Sequence, residues 1–142
     1  MIPAIRSIVT HAWLLVTLAI GGLAGLRSAG GAHAAEAGTV SVTAQGVIAT
    51  LRAYTHHPRS GTHWPIRFTV TRAGQPARAS VSYEYLLGTQ VVARRSHYTF
   101  TGHFSDVFTW PAAAVGYPLT FRAVIVSGGM TLDLDYPVQV VR

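Results

Sequence analysis

Beyond residue 38 the apolar residues of this chain recur at every second position, and that period decides what it can fold into. Side chains alternate faces along a strand, whereas a helix buries a stripe of period 3.6. The segment TLDLDYPVQVV (131–141) is the clearest case. Leu132, Leu134, Tyr136, Val138 and Val140 share one face, with Asp133 and Asp135 on the other. VIATLRAY (47–54) repeats the pattern with Val47, Ala49, Leu51 and Ala53. WPIRFTVTR (64–72) does so with Trp64, Ile66, Phe68 and Val70. RASVSYEYLL (78–87) aligns Ala79, Val81, Tyr83, Tyr85 and Leu87, and PLTFRAVIV (118–126) aligns Leu119, Phe121, Ala123 and Ile125. QVVARR (90–95) and HFSDVFTW (103–110) read as further strands of less regular pattern.

Turn chemistry separates these runs: AGQP (73–76), Gly88 with Thr89, and SGGM (127–130). No ten-residue stretch past residue 38 carries a helical stripe. About seven short strands in about 100 residues predict an all-β chain, an antiparallel β-sandwich with one wet face per sheet. Pro137 cannot donate a ladder hydrogen bond, so the last strand is expected at an edge. Asp133 and Asp135 on its outer face would discourage pairing with another edge. Val124 and Val126 make the strand from Pro118 apolar on both faces, which predicts a covering loop or a contact surface there.

Residues 1–34 read as a secretory signal peptide. Arg6 supplies the positive start, AWLLVTLAIGGLAGL (12–26) the apolar stretch, and AHA (32–34) a small-x-small cleavage site before Ala35. The apolar stretch is short against the roughly 20 residues a spanning helix needs, and Gly21, Gly22 and Gly25 weaken it further. An uncleaved anchor at residues 8–26 is the alternative. Residues 35–45 are expected as a flexible segment and 46–142 as the sandwich. A secreted or otherwise extracytoplasmic chain follows, with the membrane contacted only through an uncleaved N-terminal segment. The chain has no cysteine, so a lipidated-cysteine anchor is excluded and the core must hold without disulfides. From Ala35 onward nine arginines face five acids, a net +4 with histidine neutral. Such a balance suits anionic cell-wall polymers or lipid headgroups as well as plain solubility. No nucleic-acid reading motif is present.

PRSGTHWPIRFTV (58–70), a strand pair, WPAAAVGYPLTFRAVIV (110–126) and YPVQVV (136–141) together resemble the secreted bacterial immunoglobulin-like domains. They are similar to the groups named CARDB-like and YtkA-like. Gly61 matches a Gly-containing turn before the second strand, and GYPLTF (116–121) matches the start of a late strand. The resemblance spans roughly residues 46–142. It implies an immunoglobulin-like β-sandwich serving binding, adhesion or spacing rather than a reaction. The cysteine pair and strand-C tryptophan of antibody domains are absent.

The residues themselves also argue against an enzyme. Neither a G-x-S-x-G elbow, a P-loop nor an H-E-x-x-H helix is present. Beyond the signal segment the carboxylates are Glu36, Glu84, Asp106, Asp133 and Asp135. Asp133 and Asp135 share a face, but it is the outer one, not a cleft where paired carboxylates cleave a glycoside. Ser96 or Ser105 with His97 or His103 and Asp106 is a set that any chain of this size supplies.

Histidine is the one concentration of chemistry. AYTHHPRSGTHWPIRF (53–68) holds His56, His57 and His63, and His97 and His103 follow. Neutral imidazole is a good copper or zinc ligand, and a site needs three or four such groups at one point. If the strands flanking PRSGT pair, His57 and His63 come within about 5 Å. His56, His97 or His103 would supply the third ligand. A cut before His33 would leave an N-terminal amine and imidazole, another copper chelate. The sequence thus favours an exported, non-enzymatic module contacting a cell-envelope macromolecule or protein. The alternative is an extracytoplasmic copper or zinc binding protein.

Overall fold

The computed structural model describes residues 37–142. The expected signal peptide, its cleavage points, the alternative anchor at 8–26 and Glu36 lie outside the described residues. The described chain is all-β: β1 (Gly38–Ala44), β2 (Val47–Ala53), β3 (His63–Arg72), β4 (Gln75–Pro76), β5 (Arg78–Leu87), β6 (Gln90–Thr101), β7 (His103–Thr109), β8 (Pro118–Ser127) and β9 (Met130–Gln139). A single 3-10 turn, Ala112–Ala114, interrupts them.

Two antiparallel sheets form, and neither closes into a barrel. The first runs β1-β2-β3, and the far side of β3 is shared by β7 along His63 to Thr69 and by β4 at Thr71 and Arg72. The second runs β6-β5-β8-β9. Their inner faces meet in one core built from the alternating residues. Val47, Leu51, Trp64, Phe68 and Val70 come from the first sheet, and Val81, Tyr83, Phe121, Ile125, Leu134 and Tyr136 from the second.

Two elements differ from expectation. Residues 38–44, expected within a flexible segment, form β1 and pair with β2 along their whole length. The cause is a two-residue hairpin turn at Gln45 and Gly46, both at positive φ, which folds TVSVTA back onto β2. Only Val40 and Val42 carry the apolar signal there, so the period was faint. The second difference lies at the end of β5: Leu87, expected inward, is 39% exposed, while Leu86 is buried at 4%. Tyr85, expected inward, is half-buried.

The last strand does sit at an edge, and the C-terminal end of that edge is covered. The loop after β2 runs alongside it: Gln139 N–H donates to His56 O, Val141 N–H to Pro58 O, and Ser60 N–H to Val141 O, each at 2.9 Å. Val124 is half-buried and Val126 exposed, so the second apolar face of β8 stays open to solvent.

Three crossings carry the chain between sheets, and one hangs on a glycine. Gly102 joins β6 to β7 at φ +73°, and its N–H and C=O bond Ala77 and Val70. A Cβ there would stand 2.8 Å from the Pro76 Cβ. Gly102→Ala therefore combines a left-handed backbone with a clash and is expected to cost about 1–3 kcal/mol. Urea unfolding should show a lower midpoint with an unchanged m-value; an unchanged midpoint would refute the assignment.

Candidate functional site

The five histidines do not converge. His63 starts β3, exposed, and faces Thr109 of β7 across the ladder, not His57. His103 lies at the opposite end of that pairing, against Thr69. Six residues of strand separate the two positions, about 20 Å. His97 is exposed on β6 in the other sheet. His57 is exposed in the loop bound to the end of β9, because the β2–β3 ladder stops at Ala53 and Ile66. The expected approach of His57 to His63 needed paired flanks, and the loop pairs with the C-terminal strand instead. Among the described residues no three His, Asp or Glu side chains are grouped to hold a metal ion.

His56 has a structural task. Its ring stacks on Tyr136 with centroids 4.1 Å apart and planes 3° from parallel. Its Nδ1 lies 2.8 Å from the Pro137 carbonyl, which can only accept, so Nδ1 is the donor. A Cβ on Gly38 would strike its Nε2 and stand 2.5 Å from the Tyr136 hydroxyl. His56 thus plugs the seam between β1, β9 and the loop.

A different feature gathers functional side chains. Between the open edges of the two sheets lies a cleft of about 450 Å³, bounded by β6, β7, the 3-10 turn and the start of β8. This is within the usual range for ligand pockets, and its lining is mainly apolar and aromatic, as such pockets are. Tyr85, Phe108 and Trp110 line it, with Leu87, Val92, Tyr117 and Leu119 around them. Leu87, Val92 and Tyr117 are exposed, so apolar surface continues outward from the cleft.

Strand β6 builds the polar side of this cleft through two irregularities. Ten residues of β5 face twelve of β6, and the register slips at Ser82/Tyr83 and again at Tyr85/Leu86. Without the first slip Arg95 would oppose Glu84. With it, Arg95 opposes Tyr83, an inward position, and Arg94 takes the place beside Glu84. Bulges re-aim side chains in this way. Arg94 then spends its charge on Glu84, Nε to Oε1 at 2.9 Å. Among the described residues Arg95 has no ion pair, and it lines the cleft.

The aromatic floor is rigid. Tyr85 meets Trp110 edge to face at 5.4 Å and Phe108 at 6.1 Å. Burial pushes the Tyr85 phenol up to about 12, although the Arg95 charge pulls the other way. Behind it, Tyr83 donates to Asp106 Oδ2 at 2.9 Å, and Asp106 Oδ1 accepts the Val107 N–H at 2.8 Å. Burial first, then donation to Asp106, raises the Tyr83 phenol well above the usual range. Asp106 is therefore occupied holding β7 to β5. The Trp110 indole N–H, on a residue only 2% exposed, has no hydrogen-bond partner among the described residues. The lining offers a cation, aromatic faces and aliphatic surface, but no nucleophile beside a base. It is suited to binding.

Reading the residues one by one missed Arg95 entirely. The available signal was the length mismatch across the β5–β6 hairpin, which forces bulges on the longer strand. No family model matches the chain, and no curated protein matches it in sequence.

Proposed function

We propose that this chain is an exported, non-enzymatic binding module of immunoglobulin-like type whose cleft takes a small amphiphilic carboxylate at the cell surface. The strand order supports the immunoglobulin-like reading: β9-β8-β5-β6 corresponds to a G-F-C-C′ sheet and β2-β3-β7 to its A-B-E partner. The observation that carries the ligand class is Arg95, an exposed cation with no ion pair among the described residues, which a bulge places on the lining of an apolar cleft. The apolar body would lie against Tyr85, Trp110 and Leu119, and the carboxylate would meet Arg95. A hydrogen bond to a charged group contributes roughly 1.5–3 kcal/mol. Copper or zinc binding has no comparable support, since the histidines lie on different sheets and loops.

Calorimetric titration with decanoate and decanol tests this reading. Decanoate is expected to bind at least about tenfold more tightly, the equivalent of one charged hydrogen bond. Arg95→Gln should remove the difference between the two. Ala93→Trp, which fills the cleft from an exposed lining position, should abolish binding of both while the circular dichroism stays unchanged. Equal affinity for acid and alcohol, or no binding of either, overturns the proposal. Intact mass of the chain recovered from outside the cell checks export and the cleavage position.

A further inference from the structure

The outer face of the first sheet carries an arrangement that folding alone does not favour. Arg52 of β2 and Arg67 of β3 are directly opposite in the antiparallel register, and both are exposed. Opposed positions hold their Cβ atoms about 4.5–5.5 Å apart, where like charges destabilise. Nothing neutralises this pair. Among the described residues the outward positions of β1, β2, β3 and β7 include no acid. The neighbours across the ladders are Thr39 beside Arg52 and Ser105 beside Arg67. All the ion pairs among the described residues lie on the second sheet, where Glu84 holds Arg94 and Asp133 with Asp135 holds Arg122.

The two arginines also share a depression. With Tyr54 and Pro65 they line a hollow of about 260 Å³ where β2 ends beside β3. Two guanidinium groups at one hollow form a double fork of donors that matches a phosphate ester. Around it the sheet is rich in hydroxyls: Ser41, Thr50, Thr69 and Ser105 all face outward. Such a face suits an extended anionic chain better than a single ion.

We infer that the outer face of the first sheet docks a repeating phosphodiester polymer, with one phosphate held between Arg52 and Arg67. Charge complementarity selects the anion, and two features select the polymer over other phosphates. Insertion into a lipid surface needs a continuous apolar face, and here Ile48 and Val107 are single exposed residues on strands that β3 separates. Single-stranded nucleic acid needs a row of aromatic platforms, and Tyr54 is the one Phe, Tyr or Trp among the outward positions of this face.

The test is a titration of the full chain with synthetic poly(glycerol phosphate), inorganic phosphate, phosphatidylglycerol vesicles and single-stranded DNA. The polymer is expected to bind most tightly. Raising salt from about 50 to 200 mM should weaken it about threefold, as displacement of one phosphate contact requires. The double variant Arg52→Gln/Arg67→Gln should lose at least tenfold in affinity, while Arg78→Gln, an exposed arginine on the second sheet, should lose less than twofold. Arg67→Gln alone should raise Tm by roughly 1–5 °C without polymer, because the like-charge opposition is relieved. The polymer should raise the Tm of the unaltered chain and leave that of the double variant unchanged. Tighter binding of vesicles, DNA or inorganic phosphate overturns the inference. So does polymer binding that survives the double substitution.

Discussion

Trp64→Ala should lower the stability of this domain by about 3–5 kcal/mol, and Tm by roughly 12–30 °C. The residue is 1% exposed at the centre of the core. Its ring meets Phe108, Trp110, Phe121 and Tyr136 edge to face, at 5.0, 5.4, 5.4 and 5.8 Å. Removing it opens a void bounded by four rings that are fixed in both sheets and cannot collapse inward together. Against a total of about 5–15 kcal/mol for a domain, the loss is large. The indole also donates to the Thr55 carbonyl at 2.9 Å, inside the protein. Trp64→Phe separates the two contributions: it keeps most of the ring contact and leaves Thr55 O without a donor, for about 1–3 kcal/mol. Calorimetry of both variants checks the order. A Trp64→Ala protein within a few degrees of the parent would show that the core is not centred there.

Alkaline unfolding between pH 10 and about 12 is the second expected result. Burial raises the phenols of Tyr83, Tyr85 and Tyr136, the latter two to about 12. Below pH 10 both folded and unfolded chains hold these protons, and stability is unaffected. Above pH 10 the unfolded chain releases them while the folded chain keeps them. The unfolded state then binds fewer protons, so stability falls as pH rises. Three such groups in one core act together, and the fold should be lost within that window. Tyrosinate absorbance and far-ultraviolet circular dichroism should move in step for these residues. Titration of all tyrosines near pH 10 with the fold intact would contradict the burial argument. Tyr136 gives a sharper check, since its buried hydroxyl meets no polar group but the Gly38 backbone among the described residues. Tyr136→Phe deletes a buried, poorly paired hydroxyl and one alkaline-labile proton. It should keep or gain up to about 1 kcal/mol at neutral pH and move the alkaline midpoint upward.

The same residues explain which parts of the molecule could be read in advance. Leu132, Leu134, Tyr136 and Val138 are inward as their spacing requires, because a pleated strand has no other way to bury them. Strand β1 was faint because Thr39, Ser41 and Thr43 alternate with only two valines and an alanine. The cleft was invisible for another reason. Periodicity assumes an unbroken register, and β6 breaks it twice without a glycine to mark either place. Nothing local therefore marked Arg95 as the arginine that the slip sets opposite Tyr83. The His57–His63 approach was conditional on paired flanks, but the loop that carries His56 and His57 spends its backbone on β9. Which strand a loop joins is a long-range matter, and local residues do not encode it.

The sorting of charge between the two sheets has a mechanical consequence. On the second sheet three acids offset four arginines, with Glu84 beside Arg94 and with Asp133 and Asp135 beside Arg122. The first sheet leaves its positive charge bare. A body of this kind has an electric moment along the stacking direction of the sheets, and near a negatively charged wall it feels a torque as well as an attraction. Beside such a wall it would settle with the first sheet down. The torque acts within a few Debye lengths, about 8 Å each at physiological salt, so orientation is fixed in the last step of approach. A molecule that arrives this way presents its opposite sheet, with Arg122 gripped between Asp133 and Asp135, to whatever comes from the other side.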